Sequence, residues 1–239
     1  MDQVLTCDGS SPGLVAPSQV VAPIDISRLS SSLLREDITL IDFGQAFSAD
    51  RPPPHYVPTT PSHYLSPEAF FESKMSFSSD VWALACTIFE IRAGSPLFDP
   101  FFRDDSLILK QIVETLGRFP EPWWSTWEAR RAWFDETGVP RPEEEQRKEG
   151  LPLPAVKNSL RQKLREIGKQ VDAPYVDEGS MIEKTGIRLE ESEVELLADL
   201  LEKMLRYEPK DRICMREVLQ HPWFEHNVSE TNIMLVDVL

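Results

Sequence analysis

The sequence predicts a mainly α-helical globular unit with few short strands, and three stretches carry that prediction. Residues 81–91, Val-Trp-Ala-Leu-Ala-Cys-Thr-Ile-Phe-Glu-Ile, are apolar nearly all round. Ser79 or Asp80 is a natural N-cap for them and Gly94 a natural stop. A soluble helix of that kind belongs at the centre of a domain, so a helix from about Ser79 to Arg92 is expected to bury Trp82, Leu84, Ile88 and Phe89. Residues Glu193 to Leu205 place Val194, Leu197, Leu201, Met204 and Leu205 on one stripe, with acidic residues in the first turns where the helix dipole favours them. The run Ile38-Thr39-Leu40-Ile41 is apolar or β-branched and reads as a short buried strand leading into Asp42-Phe43-Gly44. There Phe43 can plug a core, and Gly44 lets the chain turn without Cβ strain.

The remaining elements follow in order. Residues 1–37 are rich in Ser, Pro and Gly and read as an extended or partly ordered spacer. Gln45 to Pro61 carries prolines at 52, 53, 54, 58 and 61, a density no helix survives. His55 and His63 lie in or near this loop as surface residues, with no partners at metal-ligand spacing. A short helix is expected to open after Tyr64-Leu65-Ser66-Pro67-Glu68. Asp105 to Leu116 reads as a helix with Ile108, Ile112 and Leu116 on one stripe, stopped by Gly117. An insert over residues 118–190 begins with Trp123, Trp124, Trp127, Trp133 and Phe134, which pack it onto the domain or line a peptide groove. Within it, Arg141 to Lys148 reads as a solvated turn, Leu160 to Ile167 as a short amphipathic helix ending at Gly168, and Asp172 to Gly186 as irregular. Met215 to Gln220 reads as a last short helix, and residues 226–239 as a tail.

The chain has 239 residues, about two-fifths hydrophobic, enough for a real core. With 25 basic and 40 acidic residues its formal net charge is −15. That argues against a nucleic-acid binder, which needs clustered Lys and Arg, and is compatible with a basic protein partner. Three cysteines, 7, 86 and 214, are odd in number and lack metal-like spacing, so a reducing compartment is expected rather than a disulfide framework. No stretch is long enough to span a bilayer, and Met1-Asp2-Gln3 lacks a signal-peptide pattern, so the expected location is intracellular. Nothing here reads on oligomeric state.

The functional signal lies in an ordered series. Asp42-Phe43-Gly44 leads through the proline-rich loop to Tyr64-Leu65-Ser66-Pro67-Glu68, then to the helix opening Ser79-Asp80-Val81-Trp82. Later come Glu208-Pro209-Lys210-Asp211-Arg212 and His221-Pro222-Trp223-Phe224. Each piece alone is weak; the order and spacing together are specific. The series resembles the C-terminal lobe of a eukaryotic protein kinase over Ile38 to Phe224. The long insert and Leu116-Gly117 resemble the CMGC group, most of all fungal SR-protein-kinase-type serine/threonine enzymes. The resemblance implies an α+β protein-kinase-like fold, of which this chain would be mainly the helical lobe over residues 38–225.

It also implies roles. Asp42 would hold the Mg²⁺ that accompanies ATP, within the Asp42-Phe43-Gly44 turn. Gln45 to about Ser66 would be the activation segment, whose last part, with Thr59, Thr60 and Tyr64, would touch a protein substrate. Glu68 would pair with Arg212, and Asp80 would hold the backbone of the catalytic loop; the plainer alternatives are an N-cap for Asp80 and a surface position for Arg212. Leu65 stands where related kinases often carry arginine, and the spacing of Thr59 to Tyr64 departs from the group's Thr-Arg-x-Tyr. Phosphoryl transfer also needs a glycine-rich loop, a lysine on the phosphates, a helix glutamate, a catalytic aspartate and a metal-binding asparagine. The first lysine here is Lys74, Gly9 and Gly13 flank Ser-Ser-Pro, and Asp25 lacks a preceding His. The expectation is therefore an N-terminally truncated kinase, inactive as this chain alone, with a non-catalytic kinase-like binding module as the alternative.

Overall fold

The computed structural model describes residues 2–3, 19–20, 39–48, 51, 53, 59–99, 104–150, 153–169 and 187–225. The irregular stretch expected at Asp172 to Gly186, the tail at 226–239 and most of the spacer lie outside the described residues. The chain forms two units, Met1–Ala46 and Phe47–Leu239.

In the first unit, strand β1 (Asp2–Gln3) pairs antiparallel with β2 (Gln19–Val20), Asp2 opposite Val20. The strand expected before Asp42 is not formed over the described residues 39–41. Leu40 is 77% and Ile41 79% exposed. A lone apolar run has no ladder to satisfy its backbone, and no described strand pairs with it. A 3-10 turn, Phe43–Gln45, follows.

The second unit is helical: α1 (Pro67–Glu72), α2 (Phe77–Ala93), α3 (Asp105–Leu116), α4 (Trp123–Thr126), α5 (Glu143–Lys148), α6 (Leu160–Glu166), α7 (Glu191–Met204) and α8 (Met215–Leu219). Helix α2 starts two residues earlier than its sequence suggests. Ser76 and Ser79 form a reciprocal capping box, with Ser78 N–H donating to Ser76 Oγ at 3.2 Å and Ser76 N–H to Ser79 Oγ at 3.0 Å. Asp80 thus falls in the first turn rather than at the cap. Gly94 ends the helix in the left-handed region at φ 74°, which only glycine enters without strain. Trp82, Ile88 and Phe89 are in the core as expected; Leu84 is only partly buried, packed against it.

Helix α3 has the expected bounds, capped by the Asp104 side chain on Ser106 N–H at 2.8 Å. Helix α7 buries Val194, Leu197, Leu201 and Met204, and packs against α2 and α6. A two-bond pair, Arg92 Nε to Glu193 Oε1 at 2.9 Å and Nη2 to Oε2 at 2.7 Å, ties α2 to α7.

In the insert, Trp123, Trp124, Trp127, Trp133 and Phe134 are all buried, which favours the packing role over an open groove. Phe71 stacks on Trp123 with centroids 5.6 Å apart. The solvated turn expected at 141–148 is instead a helix, α5. Pro142 precedes it, Glu143, Glu144 and Glu145 occupy its first turn, and Arg147 and Lys148 its last, the arrangement the dipole favours. Gln146 on α5 is fully buried. Its amide donates to Arg141 O at 2.6 Å and Ala155 O at 3.2 Å and accepts from Ala155 N–H at 2.6 Å.

Candidate functional site

The second unit is organised around one ion pair between residues far apart in the chain. Glu68 sits in the first turn of α1, directly after Ser66-Pro67; Arg212 follows the 3-10 turn Pro209–Asp211. Arg212 Nη1 donates to Glu68 Oε1 at 2.8 Å and Nη2 to Oε2 at 2.6 Å, a parallel two-bond contact. The remaining guanidinium donors reach Arg206 O at 2.7 Å, Ser78 O at 2.7 Å and Tyr207 O at 3.1 Å, so every N–H of the group has an acceptor. Ser79 Oγ adds a bond to Glu68 Oε1 at 2.9 Å, and the guanidinium lies 5.2 Å over the Trp82 ring. The arginine side chain is 0% and the glutamate 5% exposed. Burial by itself raises the Glu68 carboxyl; hydrogen bonds and charge from Arg212 outweigh it and hold the group below its ordinary value.

The segment leading into this pair is pinned to α2 and α3. A 3-10 turn, Ser62–Tyr64, precedes Ser66. Tyr64 O–H donates to Glu90 on α2, and Ser62 Oγ donates to Asp105 Oδ1 on α3 at 2.8 Å. Thr59 is exposed and Thr60 partly buried. Sequence reasoning found Tyr64, Glu68 and Arg212 but missed Ser79, Glu90 and Asp105. The available signal for Glu90 was its place as an acid in an otherwise apolar stretch of helix.

Asp80 is exposed, and among the described residues its carboxylate has no hydrogen-bond partner. Partial desolvation pushes it above the ordinary aspartate value.

In the first unit, Asp42 is exposed and adopts φ 64°, ψ 55°, a left-handed conformation that aspartate tolerates better than most residues. The turn therefore rests on Asp42. Gly44 has no positive φ, and a Cβ there would meet only Asp42 Oδ1 at 3.6 Å, so the expected need for glycine is not found. Phe43 is 65% exposed rather than plugged into a core.

Comparison with known proteins interprets this arrangement. The family described as "Protein kinase domain" matches residues 31–224. The chain belongs to the protein kinase domain family. Its helical unit is the C-terminal lobe of that domain. Similar curated proteins include "Serine/threonine-protein kinase SKY1" of Saccharomyces cerevisiae, 26% identical over 206 residues, covering 84% of this chain and 24% of the relative. "Dual specificity protein kinase lkh1" of Schizosaccharomyces pombe is 29% identical over 194 residues, covering 81% and 24%. "Serine/threonine-protein kinase AFC3" of Arabidopsis thaliana is 30% identical over 190 residues, covering 79% and 41%. This kinase domain chain thus spans about a quarter of the first two relatives and 41% of the third.

Protein kinases use ATP and Mg²⁺. The described residues of this kinase domain do not by themselves fit that pair. Asp42 offers a single exposed carboxylate, and no group of three His, Cys, Asp or Glu among the described residues could hold a metal ion. Mg²⁺ demands near-octahedral oxygen ligation, drawn largely from phosphates, and phosphates need a cation and amides to hold them.

Proposed function

We propose that this chain supplies the substrate-side helical lobe of a serine/threonine protein kinase of the CMGC group, acting on protein hydroxyls, with Arg/Ser-rich segments as the substrate class. The observation that carries this reading is the bond between Glu68 and Arg212: it anchors the end of the segment Thr59 to Ser66 to the middle of the lobe. In this reading Gln45 to Ser66 is the activation segment, Asp42 offers one carboxylate to Mg²⁺, and Thr59, Thr60 and Tyr64 lie where a substrate passes. Asp80, with no hydrogen-bond partner among the described residues, is the group to which a catalytic loop would dock its backbone amides. The partner implied is a protein, favoured to be basic by a net charge of −15.

Within these 239 residues no lysine precedes Asp42, and neither a glycine-rich phosphate loop nor a His-x-Asp stretch occurs. That observation favours a second reading for the chain by itself, a non-catalytic kinase-like module that binds a partner. Positioning and electrostatics are nearly all of phosphoryl-transfer catalysis, so a chain without those groups should not turn over slowly but not at all. The test is the purified chain with labelled ATP, Mg²⁺ and an Arg/Ser-rich peptide, beside Asp42→Ala, with calorimetry for ATP. Transfer equal to the Asp42→Ala control is expected. Transfer above it, or micromolar ATP affinity, would overturn the reading of this chain as inactive alone. A transcript that encodes a glycine-rich loop, a lysine and His-x-Asp upstream would support the kinase over the binding module.

A further inference from the structure

A cavity of about 730 Å³ lies where α1 ends and the insert begins, walled also by Phe47 and Pro53 of the segment that leads to Tyr64. Its walls combine apolar surface from Met75, Pro122, Trp123 and Pro209 with the carboxylates of Glu72 and Glu208. That volume is in the range of sites for small ligands or a few peptide residues.

The two carboxylates differ in how they are held. Glu72 Oε1 accepts the Trp123 indole N–H at 2.7 Å, and Trp123 is itself buried and stacked on Phe71. The rigid indole therefore orients this carboxylate whatever lies on its other side. What lies there is Lys74, whose Nζ is 2.7 Å from Glu72 Oε2 and whose side chain is 76% exposed. A flexible, solvated lysine gains little from such a contact and gives it up easily. The Glu208 carboxylate has no hydrogen-bond or ion-pair partner among the described residues. Glu68 and Glu121 also line the cavity, but Arg212 neutralises the first, and Arg118 and Ser125 occupy the second. The groove thus offers one preoriented anion covered by a displaceable cation, one free anion and an apolar floor.

We propose that this groove docks a peptide segment in which an apolar side chain is flanked by Lys or Arg. One cation takes the place of Lys74 on Glu72 and the other faces Glu208, while the apolar side chain rests against Met75, Pro122 and Pro209. Charge complementarity selects this occupant over an acidic or a purely apolar one. The inference concerns binding alone and does not depend on ATP or on transfer.

The test measures binding of a fluorescein-labelled peptide with the core Lys-Leu-Arg-Phe to the full chain, by anisotropy without nucleotide. The same peptide with Gln in place of both cations serves as comparison. The basic peptide is expected to bind about tenfold more tightly than the Gln peptide, the sum of two exposed ion pairs, and to weaken as salt rises. Glu72→Gln with Glu208→Gln should erase that difference, whereas Glu128→Gln on the surface should not. Lys74→Ala should tighten binding about two- to threefold, because it removes the competing cation. Equal binding of the two peptides, no response to Glu72→Gln with Glu208→Gln, or weaker binding in Lys74→Ala would overturn the proposal. So would self-association of the chain lost in the same double variant, which would place a second copy in the groove.

Discussion

Arg212 and Arg130 are both buried arginines that lie over a tryptophan, at 5.2 Å from Trp82 and 4.8 Å from Trp124. Their partners set them apart. Arg212 has an acceptor for every N–H and meets a carboxylate as buried as itself. Arg130, in the insert, reaches Trp124 O at 2.7 Å and Glu136 at 2.9 Å, but its Nη1 is buried without an acceptor among the described residues. Glu136 is 71% exposed. The same residue over the same kind of ring is a structural centre in one place and a partly satisfied wedge in the other. What differs is whether the carboxylate came out of water with it.

That contrast can be broken by mutation. Arg212→Met should cost about 3–5 kcal/mol in urea unfolding, because it strands the Glu68 charge in the core. Glu68→Leu with Arg212→Met should recover much of the loss, since the desolvated charges leave together. Trp82→Ala, which removes the ring beneath Arg212, should also cost about 3–5 kcal/mol. Arg130→Met is expected to cost less than about 1.5 kcal/mol, because two lost hydrogen bonds are offset by relief of an unmade one. A cost for Arg130→Met equal to that for Arg212→Met would end the distinction.

Acid sharpens it further. The folded Glu68 carboxyl is held below its ordinary value near 4.5, so its contribution is complete above that value and is lost as pH falls through the lower folded one. Unfolding midpoints followed downward from pH 5 should fall less steeply in Glu68→Gln than in the parent. The smallest effect has the opposite sign. Asp80 is held above its ordinary 3.8, so its ionisation is a penalty that builds as pH rises through the folded value. Asp80→Asn should stabilise only slightly at pH 7, because solvent screens this exposed position, and not at all at pH 3.

Much of this was legible in the sequence, and the failures have a common cause. Helices α2, α3 and α7 announce themselves through caps and apolar stripes, which are local signals. The pairing of Glu68 with Arg212 was legible only because both stand in a motif series; neither residue's neighbours predict a partner 144 positions away. The strand before Asp42 was misread because a strand needs a second strand, which no local run can supply. Residue type points to Gly44 as the place where the chain turns without strain, whereas the left-handed residue in the structure is Asp42. Helix α5 was read as a turn because its charges and flanking prolines hide the one residue that matters to it, a polar side chain with no exposed surface.

That residue is Gln146. Its amide faces the Ala155 backbone as one strand faces another, giving and taking a hydrogen bond, and its second N–H closes on Arg141 O. The stitch tolerates no exchange of nitrogen for oxygen. A glutamate here, which differs by one atom and would pass unnoticed in so acidic a chain, would aim a carboxylate at two carbonyl oxygens inside the core.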